Sequence, residues 1–159
     1  MLPVEDIEAR LKQINETIPV HHMLDGFWVR DFQDGELVIT CSFDRLAYRD
    51  YDIEFAGVIF FNTPSRWDDT NVPTDELLRL SDGAEFAGQQ PDFDIGSKHV
   101  FALDLVYHPP EKSAVKHTFY IVADSVSVEK CLQGNAAPFA HYDDPFKGEA
   151  FPCTKNRAA

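Results

Sequence analysis

The segment YDIEFAGVIFFNTP, residues 51–64, limits the fold more than any other. In an extended chain, successive side chains point to opposite faces. Ile53, Phe55, Gly57, Ile59 and Phe61 then share one face, while the other begins with Asp52 and Glu54 and continues as Ala56, Val58 and Phe60. Such a strand starts half-exposed and ends covered on both sides, as a strand in the middle of a sheet does. The rest of the chain must therefore cover two faces of a sheet. Gly57, inside the run, marks a bulge or a close backbone approach.

Other segments supply the partners. Residues 2–18 read as a helix: Pro3 suits the first turn, Glu5 and Asp6 complement the helix dipole, and Pro19 ends it. Ile7, Leu11, Ile14 and Ile18 form one apolar stripe. GFWVRDFQ and ELVITCSFD flank Asp34-Gly35, a strong hairpin signal. In the second of these strands Leu37, Ile39, Cys41 and Phe43 face one way, and the more polar Val38, Thr40, Ser42 and Asp44 the other. SKHVFALDLVYH and KHTFYIVADSVSV form a second antiparallel pair around PPEKSAV, apolar on both faces. The expected fold is α+β: an N-terminal helix on a mainly antiparallel sheet of about five strands, spanning 26–62 and 97–128. A sheet curled towards a barrel is the alternative.

The stretch 65–96 breaks this pattern and reads as an acidic insertion, in which only TDELLRL looks helical, capped by Thr74 or Asp75. Asp68, Asp69, Asp75, Glu76, Asp82, Glu85, Asp92 and Asp94 stand against Arg79 alone, so it holds 8 − 1 = 7 of the 13 net negative charges. The last stretch, 134–159, has no period. Its Pro138-Phe139 and Pro145-Phe146 steps, Tyr142 and Phe151 suggest an irregular wrap over the sheet. At 159 residues, with 44% hydrophobic residues, the whole of 1–159 fits one domain with its own core.

A net charge of −13 disfavours nucleic acid, whose phosphates require Lys and Arg, and anionic membranes for the same reason. A basic protein partner fits better. The start lacks the basic and apolar regions of a secretory signal, and no apolar stretch approaches a membrane span. Cys41, Cys131 and Cys153 make no close pair, so a reducing cytoplasm is the expected setting.

Chemical signatures are weak. His21-His22 do not share a strand face, and His108, His117 and Glu111 around the second hairpin match no ligand spacing, so neither metal nor cofactor is expected. DDTNVPTDE lacks a calcium-loop pattern, and SDGAEFAG is too acidic for a phosphate. There is no G-x-S-x-G elbow. Cys41 reads as a buried inert thiol, while Cys131 and Cys153 have only His141 between them. Asp104, near Tyr120, and Asp124 lie among apolar residues where a carboxylate can become an acid or base. The plain alternatives are a hydroxyl partner for Asp104 and a strand exit at Asp124.

No motif links the chain to a family residue by residue. In size, charge and lack of active-site motifs it is similar to bacterial immunity proteins, which neutralise basic nuclease-type toxins. That similarity implies a non-enzymatic, protein-binding domain. Trp67, Asp68, Asp69, Asp75, Glu76 and Phe86 are the expected contact, because rings set among charges suit an interface. Trp67 either folds back on Phe60 or Phe61 as a lid or stands out among the acids. The alternative is a small-molecule-binding protein or enzyme, with a pocket formed by Trp28, Phe60, Tyr107 and Tyr120 around Asp104. A third reading is a homo-oligomer paired through an open sheet edge.

Overall fold

The computed structural model describes residues 2–18, 26–42, 51–67, 72, 76–107 and 113–130. The elements are α1 (Val4–Thr17), β1 (Gly26–Gln33), β2 (Glu36–Ser42), β3 (Tyr51–Ala56), β4 (Phe60–Phe61), β5 (Arg66–Trp67), β6 (Arg79–Leu80), α2 (Ala84–Gln89), β7 (His99–Tyr107), β8 (Val115–Ala123) and β9 (Ser125–Lys130). They form an α+β fold with two antiparallel sheets, ordered β5-β1-β2-β3-β9 and β4-β8-β7-β6. The sheets keep open edges and do not close into a barrel. No helix among the described residues is long and apolar enough to cross a membrane. The expected wrap at 134–159 lies outside the described residues.

The central run does not form one strand. β3 belongs to the first sheet and β4 to the second, and the break falls at Gly57, whose φ is +66°. The segment expected as one strand over 116–128 breaks opposite it, at Asp124, into β8 and β9. β3 pairs with β9 and β4 with β8, so one antiparallel ribbon runs through both sheets. Four residue steps separate Ala56 from Phe60, but only three separate their partners Ser125 and Val122. The extra residue makes a bulge, a common device where strands pass from one sheet to another. A Cβ on Gly57 would stand 1.9 Å from Asp124 Oδ2, so the anticipated close approach is to a side chain. Lys98 Nζ holds that carboxylate at 2.8 Å.

A second bulge lies in β1, where Val29 pairs with Ile39 and Asp31 with Val38, leaving Arg30 as the extra residue. It resets the alternation. Val29 packs against the core, and Phe32, opposite buried Leu37, meets Phe61 edge-on at 4.9 Å. The hairpin turn has positive φ at both Asp34 and Gly35, as its sequence signal requires.

The main core lies between the sheets, where Phe55 meets Phe101 at 5.4 Å, and α1 adds Ile7, Leu11, Ile14 and Ile18 to it. Ile18 turns extended, as a residue before proline tends to. The outer face of the second sheet carries a smaller core. Val100, Ala102, Tyr120 and Val122 lie under Phe86, with Phe60, Phe93 and Ile95 packed against them. The insertion is thus the layer that covers the second face.

TDELLRL is not helical among its described residues. Arg79–Leu80 form β6, and the helix lies further on, at Ala84–Gln89. Asn15 explains the extended chain. Its Oδ1 accepts from the Leu77 and Leu78 N–H groups at 2.8 and 3.2 Å, and its Nδ2 donates to the Leu78 carbonyl at 2.9 Å. Leu77 and Leu78 are both buried, and tertiary contacts of this kind override helix propensity. α2 has only one buried residue, Phe86, so no apolar period announced it.

Gly57→Ala combines a disfavoured φ with a collision, and should cost about 2–4 kcal/mol in urea unfolding. In an Asp124→Ala background the penalty should shrink to the backbone part. An unchanged penalty would show that the close approach contributes nothing.

Candidate functional site

Trp67 and Phe86, the two rings expected at the interface, are both buried. Trp67 sits in β5 at 5% exposure and stacks on Phe27, with centroids 5.2 Å apart and planes 5° from parallel. It is a lid on the core, but its partner is Phe27 rather than Phe60 or Phe61. Its Nε1 has no hydrogen-bond partner among the described residues. Phe86, at 2% exposure, meets Phe60, Phe93 and Tyr120 edge-on at 5.3–5.9 Å. Of the four acids expected beside them, Glu76 is exposed, and Asp68, Asp69 and Asp75 lie outside the described residues.

Several acids of the insertion shape the local chain. Asp82 Oδ1 accepts from the Glu85 N–H at 2.9 Å at the start of α2. Asp94 Oδ1 closes a turn onto the Gly96 N–H at 2.8 Å. Glu85 and Asp104 share Arg79: its Nη1 and Nη2 reach the Glu85 oxygens at 3.0 and 2.8 Å, and its Nε reaches Asp104 Oδ2 at 2.8 Å. Thr118 donates to Asp104 Oδ1 at 2.6 Å from the opposite register position. The plain reading of Asp104, a hydroxyl partner, matches this geometry.

These contacts set the protonation states. Hydrogen bonds from Arg79 hold both Glu85 and Asp104 below the usual carboxylate range, against the opposing effect of burial. Arg79 is driven further above its already high value, by Glu85 first and then Asp104. Burial, then the Glu85 charge, pushes the Tyr120 hydroxyl up to about 12. The carboxylates stay ionised and the phenol stays neutral around pH 7. None of them is poised to exchange protons there.

The residues expected around a pocket are brought together only in part. Asp104 and Tyr120 share the outer face of the second sheet, and Phe60 joins the small core there. Trp28 belongs to β1 of the first sheet, paired with Thr40 and Arg66. Tyr107 pairs with Val115 in β7, and its side chain lies outside the described residues. The transfer at Gly57 and Asp124 is what separates these positions, by dividing the strands between two sheets.

Histidines and cysteines add little. His117 packs on Phe119 at 4.5 Å, and His99 Nε2 lies 2.8 Å from the Leu2 carbonyl oxygen. Among the described residues no three metal-type ligands gather. His21, His22, His108, Glu111, His141, Cys131 and Cys153 lie outside those residues, and Cys41 is buried.

Two features had no counterpart in the sequence reading. On the outer face of the first sheet, Arg30 donates to Thr40 Oγ1 at 3.1 Å and to Asp52 Oδ2 at 3.0 Å, and Thr40 donates to Asp52 Oδ1 at 2.6 Å. Thr40 and Asp52 are fully buried. The more polar alternation of Val38, Thr40 and Ser42 hinted at this face, but not at the bulge that equips it with Arg30. The second feature is a groove of about 520 Å³ between α1 and the chain leading into β6. Leu11, Leu78 and Leu80 line it with Glu8, Glu16, Glu76 and Lys12. Asn15 creates it by fastening segments more than sixty residues apart.

Compared with known proteins, the chain matches no family model, no curated protein and no solved structure.

If Trp67 acts as a lid, Trp67→Phe keeps the stack, removes an unpaired donor and stays within about 1 kcal/mol of wild type. Trp67→Ala should cost about 3–5 kcal/mol by denaturant unfolding. Equal stability of the Ala variant would return the ring to the surface. The depressed native pKa values of Asp104 and Glu85 make a pH prediction. Their contribution is complete above the unfolded carboxylate range near pH ~4 and is lost as pH falls through the lower native values. The urea midpoint should therefore drop below about pH 5, and less steeply in Asp104→Asn.

Proposed function

We propose that the chain is a non-enzymatic protein-binding domain that captures a basic partner through its acidic surface. The distribution of charge is the observation that carries this reading. Among the described residues Glu5, Asp6, Glu8, Glu16, Asp34, Glu36, Glu76, Asp82, Asp92 and Asp94 are exposed, against Lys12, Arg66 and Lys116. Three other cations are engaged by carboxylates: Arg79 by Glu85 and Asp104, Arg30 by Asp52, and Lys98 by Asp124. The exposed charges of the described residues are thus mostly negative, as the net charge of −13 requires. Such a field speeds encounter with a basic protein and repels nucleic acid.

The sharper form of this reading is an immunity-type inhibitor that covers a basic toxin, in a cytoplasmic setting. With Trp67 and Phe86 in the core, the contact would rest on carboxylates and not on rings. Glu76 is the described member of the expected set that stands exposed, and Glu8 and Glu16 of α1 line the same groove.

The test is capture of a partner from the native host by wild type and by Glu8→Lys/Glu16→Lys/Glu76→Lys, at low and at high salt. Capture by wild type should fall with salt, and the variant should lose about tenfold or more at low salt. Equal capture by the two proteins would remove these carboxylates from the contact, and salt-independent capture would remove the electrostatic reading.

A further inference from the structure

Among the described residues β6 is the outer strand of the four-stranded sheet, and its unpaired side borders the α1 groove. Its phase follows from one bond. The Ser81 N–H donates to the Val100 carbonyl of β7 at 2.9 Å. Backbone polar groups alternate sides along a strand, so within β6 Arg79 turns its groups to β7 and Leu80 turns its groups away. Just before β6 the Asn15 carboxamide accepts from the Leu77 and Leu78 N–H groups and donates to the Leu78 carbonyl. A peptide-like amide is therefore already bonded to this edge. The outward Leu80 groups border the groove, and among the described residues no side chain bonds to them.

The groove also has a definite charge. Glu8, Glu16 and Glu76 line it, and among the described residues Lys12 lies 3.8 Å from Glu16. Arg79 reaches the wall, but its charge is shared between Glu85 and Asp104, which leaves that cluster net negative. Leu11 and Leu80 give an apolar floor.

We infer that the groove receives an extended basic segment of the partner as an added strand on β6. Its main chain would pair with Leu80, its Lys or Arg heads would meet Glu8, Glu16 and Glu76, and their aliphatic stems would lie on Leu11 and Leu80. In strand addition the main chain supplies affinity and alternate side chains supply selectivity. This inference rests on the reading of the chain as a binder of basic proteins and names the place and form of the contact.

The probe is a heptapeptide of alternating Lys and Val, titrated into the full chain while its amide NMR spectrum is followed. Two control peptides carry Glu for Lys, or N-methyl groups on the Val residues facing the edge. Shift changes should concentrate at 8–16 and 76–81. The N-methyl peptide should bind about tenfold more weakly or worse, and the Glu peptide not at all. Glu8→Gln/Glu16→Gln should weaken the Lys peptide several-fold with an unchanged urea midpoint. Changes spread over distant acids such as Asp34 and Asp92, with the N-methyl peptide binding equally well, would overturn strand addition but leave electrostatic capture standing. No saturable peptide binding would also overturn it. Salt-independent capture of the native partner is the separate result that removes the underlying reading.

Discussion

The fold depends on the passage of one ribbon between two sheets at Gly57 and Asp124. Gly57 supplies the positive φ and leaves out the Cβ that Asp124 would strike, while Lys98 fixes the Asp124 carboxylate. Because β3 and β4 turn together with β9 and β8, each sheet receives two strands of the ribbon. Their inner faces then make the main core, and the outer face of the second sheet is left to be covered. The insertion covers it through Phe86, Phe93 and Ile95. Its aromatic residues are thus explained by burial, and its carboxylates divide between local structure and surface charge.

The ionic clusters follow the same division. The Arg79 cluster joins β6, α2 and β7 on the outside of the second sheet, and the Arg30 cluster joins β1, β2 and β3 on the outside of the first. The Arg30–Asp52 pair is buried, and such a pair adds little net stability over an apolar replacement, yet losing one partner is expensive, while the Arg79 cluster is partly exposed. These clusters therefore enforce register more than they strengthen the fold. They take up at least as many carboxylates as cations, so the negative surface reflects the excess of acids in the sequence and not the pairing.

How far the sequence could be read follows the range of the interactions. α1 and the hairpin at Asp34-Gly35 were legible because a 3.6-residue stripe and a two-residue turn are local signals. The β7–β8 pairing followed from the hairpin signal, but its register did not: Asp104, expected near Tyr120, stands opposite Thr118, two positions away. The break at Gly57 was half-legible: glycine announced an irregularity, but only the distant Asp124 shows that it divides a strand between sheets. TDELLRL misled because its local preference is helical, while Asn15, far away in sequence, holds Leu77 and Leu78 extended. Trp67 beside Asp68 and Asp69 looked like a surface ring because its stacking partner, Phe27, is forty positions earlier. Glu8 and Glu16 were visible as the polar side of a helix, but nothing nearby in sequence said that an open strand edge would face them.

The shared ribbon also has a kinetic meaning. Phe61 pairs with Ile121, 60 positions away, and Tyr51 with Lys130, 79 positions away. Neither sheet is complete until these distant segments meet, so a large loop must close before most of the core exists. Chains dominated by such non-local pairings fold slowly, because the entropy of closure comes before the contacts that offset it. The local β1–β2 and β7–β8 hairpins can form early, but each leaves an unpaired flank until the ribbon joins them. The corner at Gly57 therefore bears on how long the chain exposes strand edges during folding, as well as on its finished shape.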